Sequence, residues 1–294
     1  MARVKSELSK RKITRRKLVR GGICTLASLV VSEKWATAVE PRWFEIERVE
    51  MPLPRLEKPI DGYRIAQLSD IHLGDGMSQS RLNHVVRATN DLGADLIVMT
   101  GDFVSSNAEL QEKKLAQSLA KLHAPDGVLA VLGNHDHWAN AGIVRRALRD
   151  AGVRELRNDV HVLRRGKAHT YIVGADDPGL GKADIARPVT KLPAQGAAIL
   201  LAHEPDFADE FSLLGRFDLQ LSGHSHAGQV CLPFFGPILL PNNGKKYPRG
   251  QYQVGDMMLY TNRGVGSSGI PVRFNCRPEI SLFTLRATSA NLSA

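Results

Sequence analysis

The sequence predicts an α/β fold with a largely parallel sheet. From residue 63 onward, short apolar runs alternate with segments of helical period, the pattern of strand–helix–strand units. Polar residues sit where the runs end, and Asp70, Asp102 and Asn134 follow one another at intervals of 32 residues, the length of one such unit. The 294 residues are 43% hydrophobic and 23% charged, with three cysteines. That composition excludes a disordered, collagen-like or disulfide-dense chain.

Each element follows from local pattern. Residues 39–59 are a Pro-rich lead-in (Pro52, Pro54, Pro59), residues 60–286 a single domain, and residues 287–294 a tail. Residues 63–69 read as the first strand and 80–92 as a helix with Ser80 as N-cap. Residues 96–99 are expected as a buried strand, 109–122 as an amphipathic helix and 128–132 as a third strand. A helix over 141–151 is closed by Gly152, and 160–174 forms a hairpin turning at Arg165-Gly166. A strand over 198–201, a helix over 205–214 and a strand over 218–221 follow. Residues 257–260 and 280–285 are late strands separated by Gly-rich turns, where antiparallel pairing enters.

The strand ends carry the chemistry. The first ends in Ser69-Asp70-Ile71-His72, the second in Gly101-Asp102 and the third in Gly133-Asn134-His135-Asp136. Later strands end in Ala202-His203 and Gly223-His224-Ser225-His226. Open α/β sheets bind ligands at the carboxyl ends of their strands. Two carboxylates, one amide and four or five imidazoles are therefore expected to converge, with no thiolate among them. Such a set suits manganese, iron or zinc better than calcium, which prefers all-oxygen sites. It is too large for one tetrahedral zinc ion and fits two ions sharing a carboxylate. Two ions about 3.5–4 Å apart can clamp a phosphoryl group and lower the pKa of a bridging water. Taken singly, Asp70 could cap a turn and Asn134 could be a turn residue beside Gly133; as an ordered series, the blocks read as a metal site. His84, His123, His161 and His169 read as structural or solvated. His137 and Trp138 either line the cleft or pack.

The series Asp70-x-His72, Gly101-Asp102, Gly133-Asn134-His135-Asp136, His203 and Gly223-His224-x-His226 resembles the calcineurin-like metallophosphoesterase superfamily over most of residues 60–286. The resemblance implies a four-layer αββα sandwich, two sheets flanked by helices. It implies a first divalent ion held by Asp70, His72 and His226, a second held by Asn134, His203 and His224, and Asp102 bridging both. Manganese is the expected ion, ahead of iron or zinc. His135 would face the substrate, protonating the leaving oxygen or stabilising phosphorane-like charge, with Asp136 as the candidate to orient it.

Departures from the superfamily's branches narrow the function. Ser105 stands where purple acid phosphatases place a tyrosine ligand, and Ser105-Ser106-Asn107 replaces the Asp-Arg-Gly element of protein Ser/Thr phosphatases. The chain leaves no residues for the large second domain of periplasmic nucleotidases, and His135 stands where cytosolic lipid A pathway pyrophosphatases usually have arginine. The segments Gly228-Gln229-Val230, Leu232-Pro233-Phe234, Leu259-Tyr260, Arg263-Gly264-Val265-Gly266 and Pro271 to Cys276 resemble the YkuE/YaeI-like phosphodiesterase branch, with Ala227 and Arg277 as departures. Arg263 is the candidate to bind phosphate oxygens, since a guanidinium can do so bidentately; the alternative is an arginine fixing the Gly-rich turn.

Charge points to a leader. The formal net charge is +9, but residues 1–38 carry ten basic and two acidic residues, leaving 29 against 28 for the rest. The body therefore lacks the field that attracts a nucleic acid. Residues 1–38 read as an export signal: a basic start, a short apolar run at 21–31 and Ala36-Thr37-Ala38 as a cleavage-like triplet. Thr14-Arg15-Arg16-Lys17-Leu18-Val19-Arg20 resembles the twin-arginine motif, which implies the twin-arginine translocase as a partner and delivery to the periplasm or the outer face of the cytoplasmic membrane. Cys24 lacks a lipobox. Cys231 and Cys276 could pair in an oxidising compartment or remain two buried thiols.

These observations lead to an exported dinuclear-metal phosphodiesterase acting on cell-envelope material. A UDP-2,3-diacylglucosamine pyrophosphate hydrolase working on a lipid A precursor at the membrane is the alternative enzyme. A catalytically inactive metal-binding module is the alternative outside enzymes. The apolar segment 232–247, ending near Lys245 and Lys246, either packs as a core loop or rests on a lipid or polymer surface.

Overall fold

The computed structural model describes residues 32–288. Arg15, Arg16 and the apolar run at 21–31 therefore lie outside the described residues. A helical turn, Trp35–Val39, and a second, Glu40–Arg42, lead into β1 (Glu45–Leu53). Three strand–helix units follow: β2 (Arg64–Leu68) with α1 (Gln79–Asp91), β3 (Leu96–Thr100) with α2 (Ala108–Leu119), and β4 (Val128–Val131) with α3 (Asn134–Asp150). β5 (Arg154–Glu155) precedes the hairpin of β6 (Asp159–Arg165) and β7 (Ala168–Gly174). Two shorter units come next: α4 (Ala186–Val189) with β8 (Ala197–Leu201), and α5 (Ala208–Ser212) with β9 (Leu219–Ser222). The chain ends in a small hairpin of β10 (Cys231–Leu232) and β11 (Gly236–Pro237), then β12 (Gly250–Val254), β13 (Met257–Thr261) and β14 (Glu279–Ala287).

The strands build two six-stranded sheets, ordered β1-β14-β2-β3-β4-β5 and β12-β13-β9-β8-β7-β6. β2 to β5 run parallel, as do β7, β8, β9 and β13. Antiparallel pairing enters where β14 meets β2 and at the second sheet's edges, β6 and β12. Because side chains alternate along a strand, each sheet faces two cores. Leu96 and Val98 of β3 join Ile199 and Leu219 in a core between the sheets. Ile97 and Met99 turn the other way, against Val85 of α1 and Leu115 of α2. Ala198 and Leu200 of β8 pack outward with Phe211 of α5. This is the αββα sandwich.

Three boundaries differ from expectation. Ser78, not Ser80, caps α1, accepting the Arg81 N–H at 3.2 Å. α3 starts at Asn134 rather than near 141, because the backbone leaves helical geometry at Asn140, whose Oδ1 accepts the N–H groups of Gly142 and Ile143 and caps the second half. The first half carries the Asn134-His135-Asp136 motif. The lead-in contains β1, whose charged residues Glu45, Glu47, Arg48 and Glu50 mask a strand that pairs along one side only, with β14; Pro52 is tolerated on such an edge.

Candidate metal centre

Every strand that ends at the site delivers its polar residues within a few positions. Asp70 and His72 follow β2, Asp102 follows β3, Asn134 and His135 open α3, His203 follows β8, and His224 and His226 follow β9. Five of these adopt the left-handed backbone: Asp70 (φ 51°), His72 (48°), Asp102 (57°), His224 (67°) and His226 (49°). That conformation costs a non-glycine residue about 1–2 kcal/mol. It is held by ties between the loops: Asp70 N–H donates to Gly101 O, His72 N–H to Asp102 O, and Gly266 N–H to Asp70 O. The glycines of the motifs serve this approach. A Cβ at Gly223 would collide with the Ser69 hydroxyl and the Asp70 carboxylate, and one at Gly133 with Asp102 and His203.

Each histidine has one ring nitrogen held from behind and one turned inward. His72 Nδ1 lies 2.8 Å from Ser105 Oγ, His203 Nδ1 is 2.6 Å from Thr100 O, and His224 Nε2 is 2.7 Å from Asn242 O. His226 Nδ1 faces the Arg273 guanidinium at 3.4 Å. The inward nitrogens converge in two groups. His72 Nε2 and His226 Nε2 are 3.0 Å apart, with Asp70 Oδ1 3.3 Å from the latter. His203 Nε2 and His224 Nδ1 are 3.3 Å apart. Asp102 Oδ2 stands between the groups, 3.5 Å from His72 Nε2 and 3.1 Å from His203 Nε2.

These residues fit two divalent ions. Asp70, His72 and His226 form one compact donor set, and Asp102, His203 and His224 another. Asn134 lines the cleft beside them, and its buried Oδ1 has no hydrogen-bond partner among the described residues, an orphaned acceptor of the kind a cation satisfies. Burial pushes His72 down to about 3 and His224 down to about 4, so both present lone pairs at neutral pH. Burial opposes charge on Asp70 and Asp102, yet His226 holds the first and His203 the second well below the usual carboxylate range. Burial likewise disfavours a charged His203, but Asp102 and then Asp70 hold it well above the imidazole range. The pocket demands positive charge.

His135 sits at the cleft, half-buried, its ring 4.8 Å from that of His72 and 4.9 Å from that of Trp138. A carbonyl can only accept, so the 3.3 Å contact of Nδ1 with Ser105 O places a hydrogen on Nδ1. Nε2 is left beside Ser268 Oγ at 3.4 Å. Two expectations are corrected. Asp136 does not orient His135: its carboxylate accepts the N–H groups of Asp102, Phe103, Val104 and Gly133. Arg263 does not reach the cleft: it is bound by Glu279 at 2.6 Å, Glu47 at 2.7 Å and Glu45 at 3.3 Å. His137 turns away to Asp176 at 2.8 Å, while Trp138 lines the cleft. His84 packs against Phe44, and His123, His161 and His169 keep to the surface regions of their turns and hairpin. Cys231 and Cys276 are buried free thiols in one small cluster.

Ser105, Ser268 and Arg273 are the site residues that pattern alone did not single out. Arg273 is fully buried behind His226 and donates to the carbonyls of Arg263, Gly264 and Gly266, pinning the loop that covers Asp70. Its signal was present in the Pro271 to Cys276 run, ten residues after Arg263.

Residues 63–228 match the calcineurin-like phosphoesterase family. The chain is 36% identical to "Uncharacterized metallophosphoesterase YkuE" of Bacillus subtilis (strain 168), over 95% of this chain and 100% of that one. It is 29% identical to "Phosphodiesterase YaeI" of Escherichia coli (strain K12), over 84% and 90%. It is also 29% identical to "UDP-2,3-diacylglucosamine pyrophosphatase LpxG" of Chlamydia trachomatis, over 87% and 94%.

Proposed function

The chain belongs to the calcineurin-like phosphoesterase family, and from that premise we propose that it is an exported phosphodiesterase, working with two divalent ions, manganese foremost, on phosphate esters of the cell envelope. Its class is that of a metal-dependent phosphoric ester hydrolase. The observation that carries the reading is the pair of buried donor sets flanking Asp102 Oδ2, with Asp102, His224 and His226 lining a cleft of about 630 Å³. Bound there, two ions supply the positive charge that clamps phosphoryl oxygens and makes water a nucleophile at neutral pH.

The chain's own residues do the rest. Asp102 divides its carboxylate: Oδ2 serves both donor sets, and Oδ1 accepts the His135 N–H at 2.9 Å. His135 is thereby fixed at the start of α3, with Nε2 toward the cleft to carry a proton to the leaving oxygen. Among the described residues lining the cleft, Lys245 is the cation and no arginine appears. A monoester dianion is best held by a cage of cations, whereas a diester monoanion needs less, so the lining favours diesters.

The test is a substrate panel on metal-loaded protein: bis-p-nitrophenyl phosphate, p-nitrophenyl phosphate and UDP-2,3-diacylglucosamine. The diester should be turned over fastest, and chelation should abolish turnover until manganese is restored. Preference for the UDP-lipid would favour the pyrophosphatase alternative, and full metal occupancy without turnover the inactive module. Export rests on the leader, and Arg15→Lys with Arg16→Lys should leave folded, active enzyme in the cytoplasm. Normal export of that variant would overturn the twin-arginine assignment.

A further inference from the structure

The small β10–β11 hairpin beside the cleft carries large apolar side chains into solvent. Phe234 is fully exposed, Phe235 is 86% exposed, and Ile238 and Leu239 follow at 63% and 77%. This segment is not a core-packing loop. Neither is it loosely attached: Cys231 N–H donates to Phe274 O at 2.9 Å, Ile238 N–H donates to Val230 O at 3.0 Å, and Cys231 is buried at the hairpin's base. Phe234 is held at φ 69°, a left-handed position that a bulky residue occupies at a cost. Leu239 and Leu240 continue from the hairpin into the cleft wall, where Trp138 also stands, 64% exposed. An apolar rim thus runs from the hairpin to the site.

Two further observations say what covers it. Lys245 and Arg249, just beyond the rim, are both exposed, giving the face a cationic flank. The start of the described chain is also close. Pro233 of the hairpin and Trp35 line one cavity, and Ala36 is fastened there by the Arg273 N–H at 2.9 Å. Residues 1–34, which lead to this point, contain ten basic residues and the apolar run at 21–31. Basic residues beside exposed aromatic and aliphatic side chains suit the interface of an anionic membrane.

We propose that the Phe234–Phe235 hairpin and its cationic flank dock on the surface of an anionic phospholipid bilayer, so that the cleft opens against lipid headgroups and takes phosphate esters presented there. The substrate part rests on the reading of the cleft as the hydrolytic site; the docking part does not.

The experiment is vesicle sedimentation with full-length, metal-loaded protein. Vesicles of phosphatidylglycerol with phosphatidylcholine are compared with phosphatidylcholine alone. The wild type should bind the anionic vesicles more tightly, and added salt should weaken the difference. Phe234→Ser with Phe235→Ser should bind them about tenfold or more weakly, the loss expected for removing a buried ring. The same variant should hydrolyse bis-p-nitrophenyl phosphate at the wild-type rate, since neither ring lines the cleft. Equal vesicle binding by variant and wild type overturns the docking face. So does a wild-type dimer in sedimentation velocity that the substitutions dissociate while vesicle binding is unchanged, which would assign the rim to a second copy. Absence of diester hydrolysis in both proteins would instead overturn the reading of the cleft, with the vesicle comparison still deciding the docking.

Discussion

Asp102 and Asp136 hold one another's loops in place. The Asp102 N–H donates to Asp136 Oδ2 at 2.9 Å, while Asp102 Oδ1 accepts the N–H of His135, the neighbour of Asp136, at 2.9 Å. Asp136 also gathers the amides of Phe103, Val104 and Gly133, so one buried carboxylate fixes the turn after β3 to the start of α3. Burial and then the Asp102 charge push its carboxyl up to about 8, against the pull of the Gly133 and Val104 amides. The four amide bonds, which tie the Asp102 loop to the start of α3, make Asp136 a positioning residue.

Asp136→Ala should therefore weaken metal binding although Asp136 touches no ion. The expected loss is about 10–100-fold in affinity, the range for partners that orient ligands. Asp136→Asn keeps one acceptor and should fall between. Metal titration by calorimetry reads the effect separately from turnover, and an unchanged affinity in the alanine variant would refute the positioning role.

Asp102→Asn should lose more bound metal than any other single ligand substitution, because one oxygen serves both donor sets. Asp70→Asn, by contrast, should chiefly empty the set it shares with His72 and His226. Elemental analysis of the purified variants compares them, and full two-ion occupancy in Asp102→Asn would contradict the bridging role.

How much of this was visible in the residues depends on what each residue binds. The spacing of Asp70, Asp102 and Asn134 reflects a repeated strand–helix unit, so the convergence at one sheet edge could be read directly. The partners of Asp136 are backbone amides, which leave no trace in residue type, and its role was misplaced. Arg263 was misplaced for a linked reason. Two of its three partners, Glu45 and Glu47, lie on β1, whose charged, Pro-containing sequence hides a strand, and the third, Glu279, opens β14 one residue before the run that reads as a strand. The left-handed ligands are likewise invisible, since histidine and aspartate give no local sign of φ.

His137 joins the start of α3 to the end of β7 through Asp176, at 2.8 Å, with Arg157 2.9 Å from the other oxygen. Burial resists the charge on Asp176, but His137 and the Asp177 amide hold its carboxyl down to about 2. A carboxyl depressed in the folded state stabilises fully above its unfolded value of about 3.9 and loses that contribution as pH falls through the folded value. Stability from this group should be intact above about pH 4 and lost by about pH 2. Asp176→Asn should lower stability at neutral pH by about 1–2 kcal/mol and flatten the fall in melting temperature between those limits. Thermal unfolding of both proteins across that range makes the comparison, and parallel curves would show that Asp176 titrates alike in both states.

His135→Ala should separate chemistry from metal binding. The tie between His135 and Asp102 runs through the His135 backbone N–H, which alanine retains, so both donor sets should keep their geometry and their ions. What alanine removes is Nε2, the ring nitrogen left toward the cleft once Nδ1 is engaged by Ser105 O. If that nitrogen delivers the proton, kcat should fall by about 10²–10⁴, the usual contribution of a positioned acid. The loss should depend on the leaving group: small for nitrophenolate, which departs without a proton, and large for an alkoxide, which does not. Kinetics of an aryl and an alkyl diester on the same metal-loaded variant read the difference directly. Equal losses for the two would mean that His135 stabilises charge on the phosphoryl group rather than protonating the leaving oxygen, and the imidazole would then act on every substrate alike.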